Sequence, residues 1–256
     1  MNFVLVPLTY VRGFIVTVFG IIHTFIMSIL VVLTAGLTRS RRLVDFMIIW
    51  LWSMPIIIFS GTRVEVRGAD QFGDSPLGFL ILFNHSSLMD IPVLYSYFPR
   101  SFRFGAKIEL FKIPFFGKAM EVCGVLPIDR SNRNKVMKVY EDAIARVKNG
   151  EAFALAPEGT RQKEATLGKF KRGPFEFALN AGMDIVPAVI AGAYDVLPRK
   201  AFLINTGRWR RKIIVQILPR VSTKDYTLES IDQLLEKVRN PMNEAYVQLT
   251  EELKGF

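Results

Sequence analysis

Leu77-Gly78-Phe79-Leu80-Ile81-Leu82-Phe83-Asn84-His85-Ser86-Ser87-Leu88-Met89-Asp90 is the stretch on which the reading of this chain turns. Its first seven residues are a continuous apolar run, suited to a central strand covered on both faces. Runs of the same kind follow at 152–156, 184–190 and 212–218, while Arg63-Val64-Glu65-Val66-Arg67 alternates with period two, as an edge or half-buried strand does. Helical patterns lie between them. Ser131 is placed to cap a helix with Val136, Val139, Tyr140, Ala143 and Val147 on one face and Gly150 as its stop. Near the end, Ile231, Leu234, Leu235 and Val238 form one apolar stripe and Met242, Ala245, Tyr246 and Leu249 a second, with Pro241 interrupting. Strands alternating with helices predict an α/β fold, a mostly parallel central sheet flanked by helices. In such sheets ligand chemistry collects at the carboxyl ends of the strands.

Composition adds a second part. The 256 residues include 33 Lys+Arg and 23 Asp+Glu, a net charge of +10, yet half are hydrophobic and the mean hydropathy is positive. This excludes a disordered polybasic tail and argues against an ordinary soluble enzyme. The apolar excess sits at the front: residues 1–60 hold only Arg12, Arg39, Arg41, Arg42 and Asp45 among the charged side chains. The chain therefore divides into membrane-associating hydrophobic helices at 1–60 and a catalytic domain at 61–256. Residues 13–36 carry no formal charge and are long enough to cross ~30 Å of hydrocarbon as a helix. A second run, 43–59, follows after Thr38-Arg39-Ser40-Arg41-Arg42, so a cleaved secretory signal is disfavoured. Because positive residues beside spans stay cytoplasmic, the pair reads as a helical hairpin dipping into one leaflet from the cytoplasm, or one span plus an interfacial helix, rather than a two-span anchor. His23, alone on that apolar stretch, reads as a packed ring. One cysteine, Cys123, and two histidines leave no internal disulfide and no metal centre to expect.

The chemistry-bearing residues fall at strand ends. His85 lies just beyond the central strand and Asp90 five residues on; the two can meet if Ser86 or Ser87 caps the helix and Asp90 folds back from its first turn. A carboxylate on one ring nitrogen would leave the other as a general base toward a hydroxyl. Taken alone, the pair reads more readily as a histidine that caps a helix or satisfies core groups, so the spacing by itself is weak evidence. Ala156-Pro157-Glu158-Gly159-Thr160-Arg161 follows another strand; Gly159 permits close backbone approach and Arg161 offers a planar cationic fork for a phosphate. Lys163, Lys169, Lys171 and Arg172 come next, and Gly124-Val125-Leu126-Pro127-Ile128-Asp129-Arg130 delivers a further arginine. Converging, these loops suit a substrate with both a hydroxyl and a phosphate.

In this order the segments resemble the glycerolipid acyltransferase superfamily, most closely its bacterial-type 1-acylglycerol-3-phosphate (lysophosphatidate) acyltransferases. Asn84 to Asp90 matches the Asn-His-x4-Asp block, and Gly124 with Arg130 the second. Pro157-Glu158-Gly159-Thr160-Arg161 matches the third in full, and Ile185-Val186-Pro187-Ala188-Val189-Ile190 a Val-Pro strand. The resemblance covers roughly residues 60–220, with Ala156 and Gln162 standing where the family often has Phe and Ser. It implies acyl transfer from acyl-CoA or an acyl carrier protein to the sn-2 hydroxyl of lysophosphatidate at a membrane, with no further cofactor. His85 and Asp90 are then the catalytic pair, and Arg130, Gly159, Thr160 and Arg161, with Lys107, bind the acceptor phosphate. Asn84, Gly124, Glu158 and Pro187 support the site. A related enzyme acting on glycerol 3-phosphate, another lysophospholipid or an aminolipid fits the same pattern. A non-catalytic protein holding anionic lipid through Arg208-Trp209-Arg210-Arg211-Lys212 explains the charge but not the His-Asp spacing. No nucleic-acid signature accompanies the basic residues.

Overall fold

A computed structural model describes residues 5–72 and 78–255. Leu77, the first residue of the quoted run, lies outside them. Seven strands form one sheet in the order β1-β7-β6-β2-β5-β3-β4. They are β1 (Thr62–Arg67), β2 (Leu80–Phe83), β3 (Arg103–Lys107), β4 (Leu126–Ile128), β5 (Phe153–Leu155), β6 (Ile185–Ala191) and β7 (Arg211–Ile217). All neighbours pair in parallel except β6 and β7. The mostly parallel sheet read from the sequence is thus present, with the alternating strand β1 at its edge and the apolar strand β2 at its centre.

β2 is apolar throughout because both of its faces are covered. Ile81 and Phe83 join one buried cluster with Val93 and Leu94 of α4 (Asp90–Tyr97). Leu80 and Leu82 join a second with Tyr140 and Ala143 of α6 (Arg133–Lys148), Phe177 of α7 (Gly173–Ala181) and Leu234 and Met242 of α8 (Ile231–Lys254). Two local expectations change. Asn132, not Ser131, caps α6, its side chain accepting the Lys135 N–H at 3.1 Å, while Ser131 bonds Asp129. The two C-terminal stripes belong to one helix that runs on through Pro241, with Ile231, Leu234, Val238, Met242, Tyr246 and Leu249 buried along it. Proline removes one backbone donor there, but the apolar face on both sides of it has the same sheet to cover.

The N-terminal residues form α1 (Leu5–Thr38), α2 (Arg41–Phe46) and α3 (Met54–Ser60), the last two joined by a π-helical stretch Met47–Ser53. By length and composition Val6–Thr38 and Arg41–Ser60 could each cross a membrane. They do not stand away from the sheet. Val16, Met27, Val31, Val44 and Ile57 are buried, and α1 packs beside α5 (Phe116–Val122). Asp45 explains the charge inside the second apolar run. Its carboxylate takes Nη1 and Nη2 of Arg103 at 2.6 and 3.2 Å, and Arg103 Nε reaches Glu151 at 3.1 Å. Arg41 joins Glu151 at 3.0 Å.

Replacing Asp45 by Ala leaves the buried Arg103 with one anionic partner and should cost about 3 kcal/mol. Arg41→Ala, at a side chain 74% exposed, should cost under about 1 kcal/mol. Thermal unfolding of the detergent-solubilised protein measures both, and equal effects would refute the buried pair as the clamp.

Candidate active site

Parallel pairing brings the carboxyl ends of β6, β2, β5, β3 and β4 to one side of the sheet. His85 follows β2, Glu158 to Arg161 follow β5, Lys107 ends β3 and Arg130 follows β4. The chain leaves β2 through a short turn, and α4 begins at Asp90 itself. Neither serine side chain caps α4 in the way the spacing suggested. Instead Asp90 folds back: Oδ2 accepts the Ser86 and Ser87 N–H groups, both at 2.9 Å, and lies 2.7 Å from His85 Nδ1. An oxygen already accepting two backbone N–H groups is placed to accept a third, so Nδ1 carries the proton and Nε2 its lone pair. Asp90 is fully buried, whereas 13% of the His85 side chain is exposed. Phe83 packs edge-on against the ring, with centroids 5.8 Å apart.

The second loop is tied to the first by its backbone. Gln162 N–H donates to the His85 carbonyl at 2.8 Å, and the His85 N–H donates to Glu158 Oε1 at 3.2 Å. Glu158 therefore supports the loop as a hydrogen-bond acceptor. It is 4% exposed, and burial pushes its carboxyl up to about 8. The His85 N–H and the Gln162 amide act against that rise, and Asp90 adds to it. Gly159 has φ +73°, and a side chain there would also run into Lys171.

Arg130 and Arg161 face the same region. Burial lowers both pKa values; Glu109 opposes the shift at Arg130, and the guanidiniums of Arg161 and Arg199 add to it. Arg199 likewise adds to the shift at Arg161. Arg199 was not singled out from the sequence, for it stands eight residues beyond β6 in no motif; only the folded chain brings it to Arg161, whose carbonyl accepts its Nη1 at 2.7 Å. Lys107 is half exposed and pairs with Glu109 at 2.9 Å. Thr160 is exposed in the same loop as Arg161.

Three sequence candidates sit elsewhere. Asn84 is buried and works as an extra rung of the sheet: Nδ2 donates to the Ile190 carbonyl at 2.9 Å and Oδ1 accepts the Ile190 N–H at 2.7 Å. Pro187 is buried in β6 opposite Leu82. Gly124 precedes β4 and so lies at the opposite end of the sheet from His85, with φ +74° and its carbonyl taking Arg146 Nη2 at 2.7 Å. It lines a cavity of about 440 Å³ between α5 and the turn joining α1 to α2. Cys123 lines it too, and burial raises its thiol to about 12, far from a nucleophilic thiolate.

The Glu158 carboxyl has a stability consequence. Its folded pKa lies above its usual value of 4.5, so the folded chain holds a proton that the unfolded chain releases. The contribution to stability is full below about pH 4.5 and is lost as pH rises toward 8. Glu158→Gln keeps an acceptor for the His85 N–H and removes the titration. The loss of thermal stability between pH 5 and pH 8 should therefore be smaller in this variant than in the parent. An equal loss would show that the carboxyl does not carry it.

Comparison with known proteins places the fold and the motifs together. A family model described as Acyltransferase matches residues 63–191. A chloroplastic 1-acyl-sn-glycerol-3-phosphate acyltransferase of Brassica napus is 32% identical over 160 residues, 62% of this chain and 46% of that one. The Saccharomyces cerevisiae 1-acyl-sn-glycerol-3-phosphate acyltransferase is 33% identical over 71% of this chain and 59% of its own length. The human alpha form is 28% identical over 85% and 75%. The chain thus spans about half the length of the first two relatives. The crystal structure of the 1-acyl-sn-glycerophosphate acyltransferase PlsC from Thermotoga maritima superposes with a TM-score of 0.77, covering 97% of this chain and 98% of that one, and at 23% identity it shares the fold. With half of its length matched by the family, including the His85 and Arg161 loops, the chain belongs to the acyltransferase family.

Proposed function

We propose that the protein transfers an acyl group from an acyl thioester, acyl-CoA or an acyl carrier protein, to the sn-2 hydroxyl of lysophosphatidate, forming phosphatidate. The observation that carries this reading is His85, its Nδ1 held 2.7 Å from a fully buried Asp90, on the side of the sheet where Arg130 and Arg161 gather. The names of the Brassica, yeast and human relatives support the same acceptor. Nε2 of His85 takes the proton from the sn-2 hydroxyl as its oxygen attacks the thioester carbonyl carbon. The tetrahedral intermediate then collapses, the C–S bond breaks, and the departing thiolate recovers the proton from the imidazolium. Arg130 and Arg161 hold the phosphate, with Thr160, the Gly159 backbone and Lys107 beside them.

The membrane is the second element of the proposal. On α1, Phe14, Ile15, Ile22, Phe25 and Leu33 present an exposed apolar face, while the other side of the helix is packed on the body. Phe115, itself exposed, meets Phe25 edge-on with centroids 5.5 Å apart, and Leu88 is exposed three residues from His85. A helix with one packed face and one apolar free face suits lying in a single leaflet better than crossing it. With Arg39, Arg41 and Arg42 at the turn, the body rests on the cytoplasmic face of the cell membrane.

His85→Ala should lower kcat by about 10² to 10⁴ in a protein that still folds, and retained turnover would remove the base. Arg161→Ala should raise KM for lysophosphatidate and leave that for acyl-CoA alone. The double variant Ile15→Glu, Ile22→Glu should lose most of its flotation with phospholipid vesicles; undiminished flotation would refute the α1 face as the anchor.

A further inference from the structure

Arg199 stands outside the sequence blocks that carry the family resemblance, yet it is tied to the site from two directions. Its Nη1 donates to the Arg161 carbonyl at 2.7 Å. Two residues earlier, the Leu197 carbonyl accepts the Ser87 hydroxyl at 2.9 Å, and the Ser87 N–H is one of the two backbone groups on Asp90. The segment entering Arg199 is therefore fixed against the turn that carries the His85–Asp90 pair, and the Arg199 head against the loop that carries Arg161.

We propose that Arg199 is a third cation of the acceptor-phosphate subsite, a binding residue that sets the preference for a phosphorylated acceptor. This rests on the reading of the acceptor as a phosphate monoester. Among the described residues, Arg130, Arg161 and Arg199 make no ion pair within 4 Å, although other guanidiniums of the chain, such as Arg67, Arg103 and Arg133, do. Each of Arg130 and Arg161 feels Arg199 as a neighbouring like charge. Three mutually repelling guanidiniums, none of them held in an ion pair, form a site suited to an anion, and a phosphate dianion meets that demand with charge and with acceptor oxygens for several N–H groups at once. A guanidinium carries five donors, and the Arg161 carbonyl occupies one; that bond aims the head and leaves the other nitrogens to reach an anion.

Arg199→Gln removes the charge while keeping a polar side chain, and the melting temperature reports whether loss of the bond to the Arg161 carbonyl disturbs the fold. Steady-state kinetics on the full-length protein in detergent, varying lysophosphatidate and acyl-CoA in turn, read the effect. We expect KM for lysophosphatidate to rise about 10- to 100-fold in Arg199→Gln, with KM for acyl-CoA within twofold of the parent and the melting temperature retained. Arg199→Lys, which keeps the charge but not the planar fork, should fall between the two. An unchanged acceptor KM in Arg199→Gln, or equal rises for acceptor and donor, overturns the assignment of Arg199 alone. A parent enzyme that turns over neither lysophosphatidate nor glycerol 3-phosphate overturns the acceptor reading and this inference with it.

Discussion

The site depends on one oxygen, Oδ2 of Asp90, which gathers the Ser86 and Ser87 N–H groups and the Nδ1 side of His85. A fully buried carboxylate is costly unless it is hydrogen-bonded, and the turn after β2 closes around Oδ2. That closure throws the imidazole toward the loops after β5 and β6. The His85 backbone then bonds Glu158 through its N–H and Gln162 through its carbonyl, and Ser87 bonds Leu197. Three loops from three adjacent strands are locked by hydrogen bonds that all begin within a few residues of Asp90. The His85 ring is thus held in place by the fold itself.

Much of this was legible in the sequence because it rests on local patterns. The unbroken apolar run at β2 required cover on both faces, and Leu80 to Phe83 are buried at the centre of the sheet. The five-residue spacing of His85 and Asp90 allowed contact only with Asp90 in a first turn, which is where α4 starts. What escaped is non-local. Asn84 looked like a companion of His85, yet its amide is spent on Ile190, 106 residues away, a bond no spacing encodes. Gly124 and Arg130 belong to one motif, but β4 runs between them and carries them to opposite ends of the sheet. Pro241 signalled a break that the helix overrides, since the buried face on each side of it is worth more than the bond it forfeits.

The apolar helices show the same division. Their length and lack of charge were plain, but Asp45 in the second run had no visible reason. Its partner Arg103 opens β3, 58 residues on, and the pair makes the hairpin part of the folded body. A charge that disfavours a membrane span favours a docked helix, because its cost of burial is met by protein instead of lipid. In α1 the buried side, with Val16, Met27 and Val31, packs within the body, and the exposed side remains apolar.

α1 is also joined to the site by a second route. The Thr17 hydroxyl accepts the Ile204 N–H at 3.0 Å and the Thr9 hydroxyl the Gly207 N–H at 2.9 Å, while Arg12 donates to the Trp209 carbonyl and lies over the Trp209 ring. The Thr9 and Thr17 side chains are buried, where an unmet N–H is expensive, so these bonds hold residues 204–209 to α1. The same segment begins at Leu197 and Arg199, which hold Ser87 and the Arg161 carbonyl. One stretch of thirteen residues (197–209) thus bonds to the apolar helix at one end and to the His85 and Arg161 loops at the other. A shift of α1 relative to the sheet must strain this stretch or break one of its bonds. The position of α1 is thereby coupled to the turn that carries His85 and to the loop that carries Arg161.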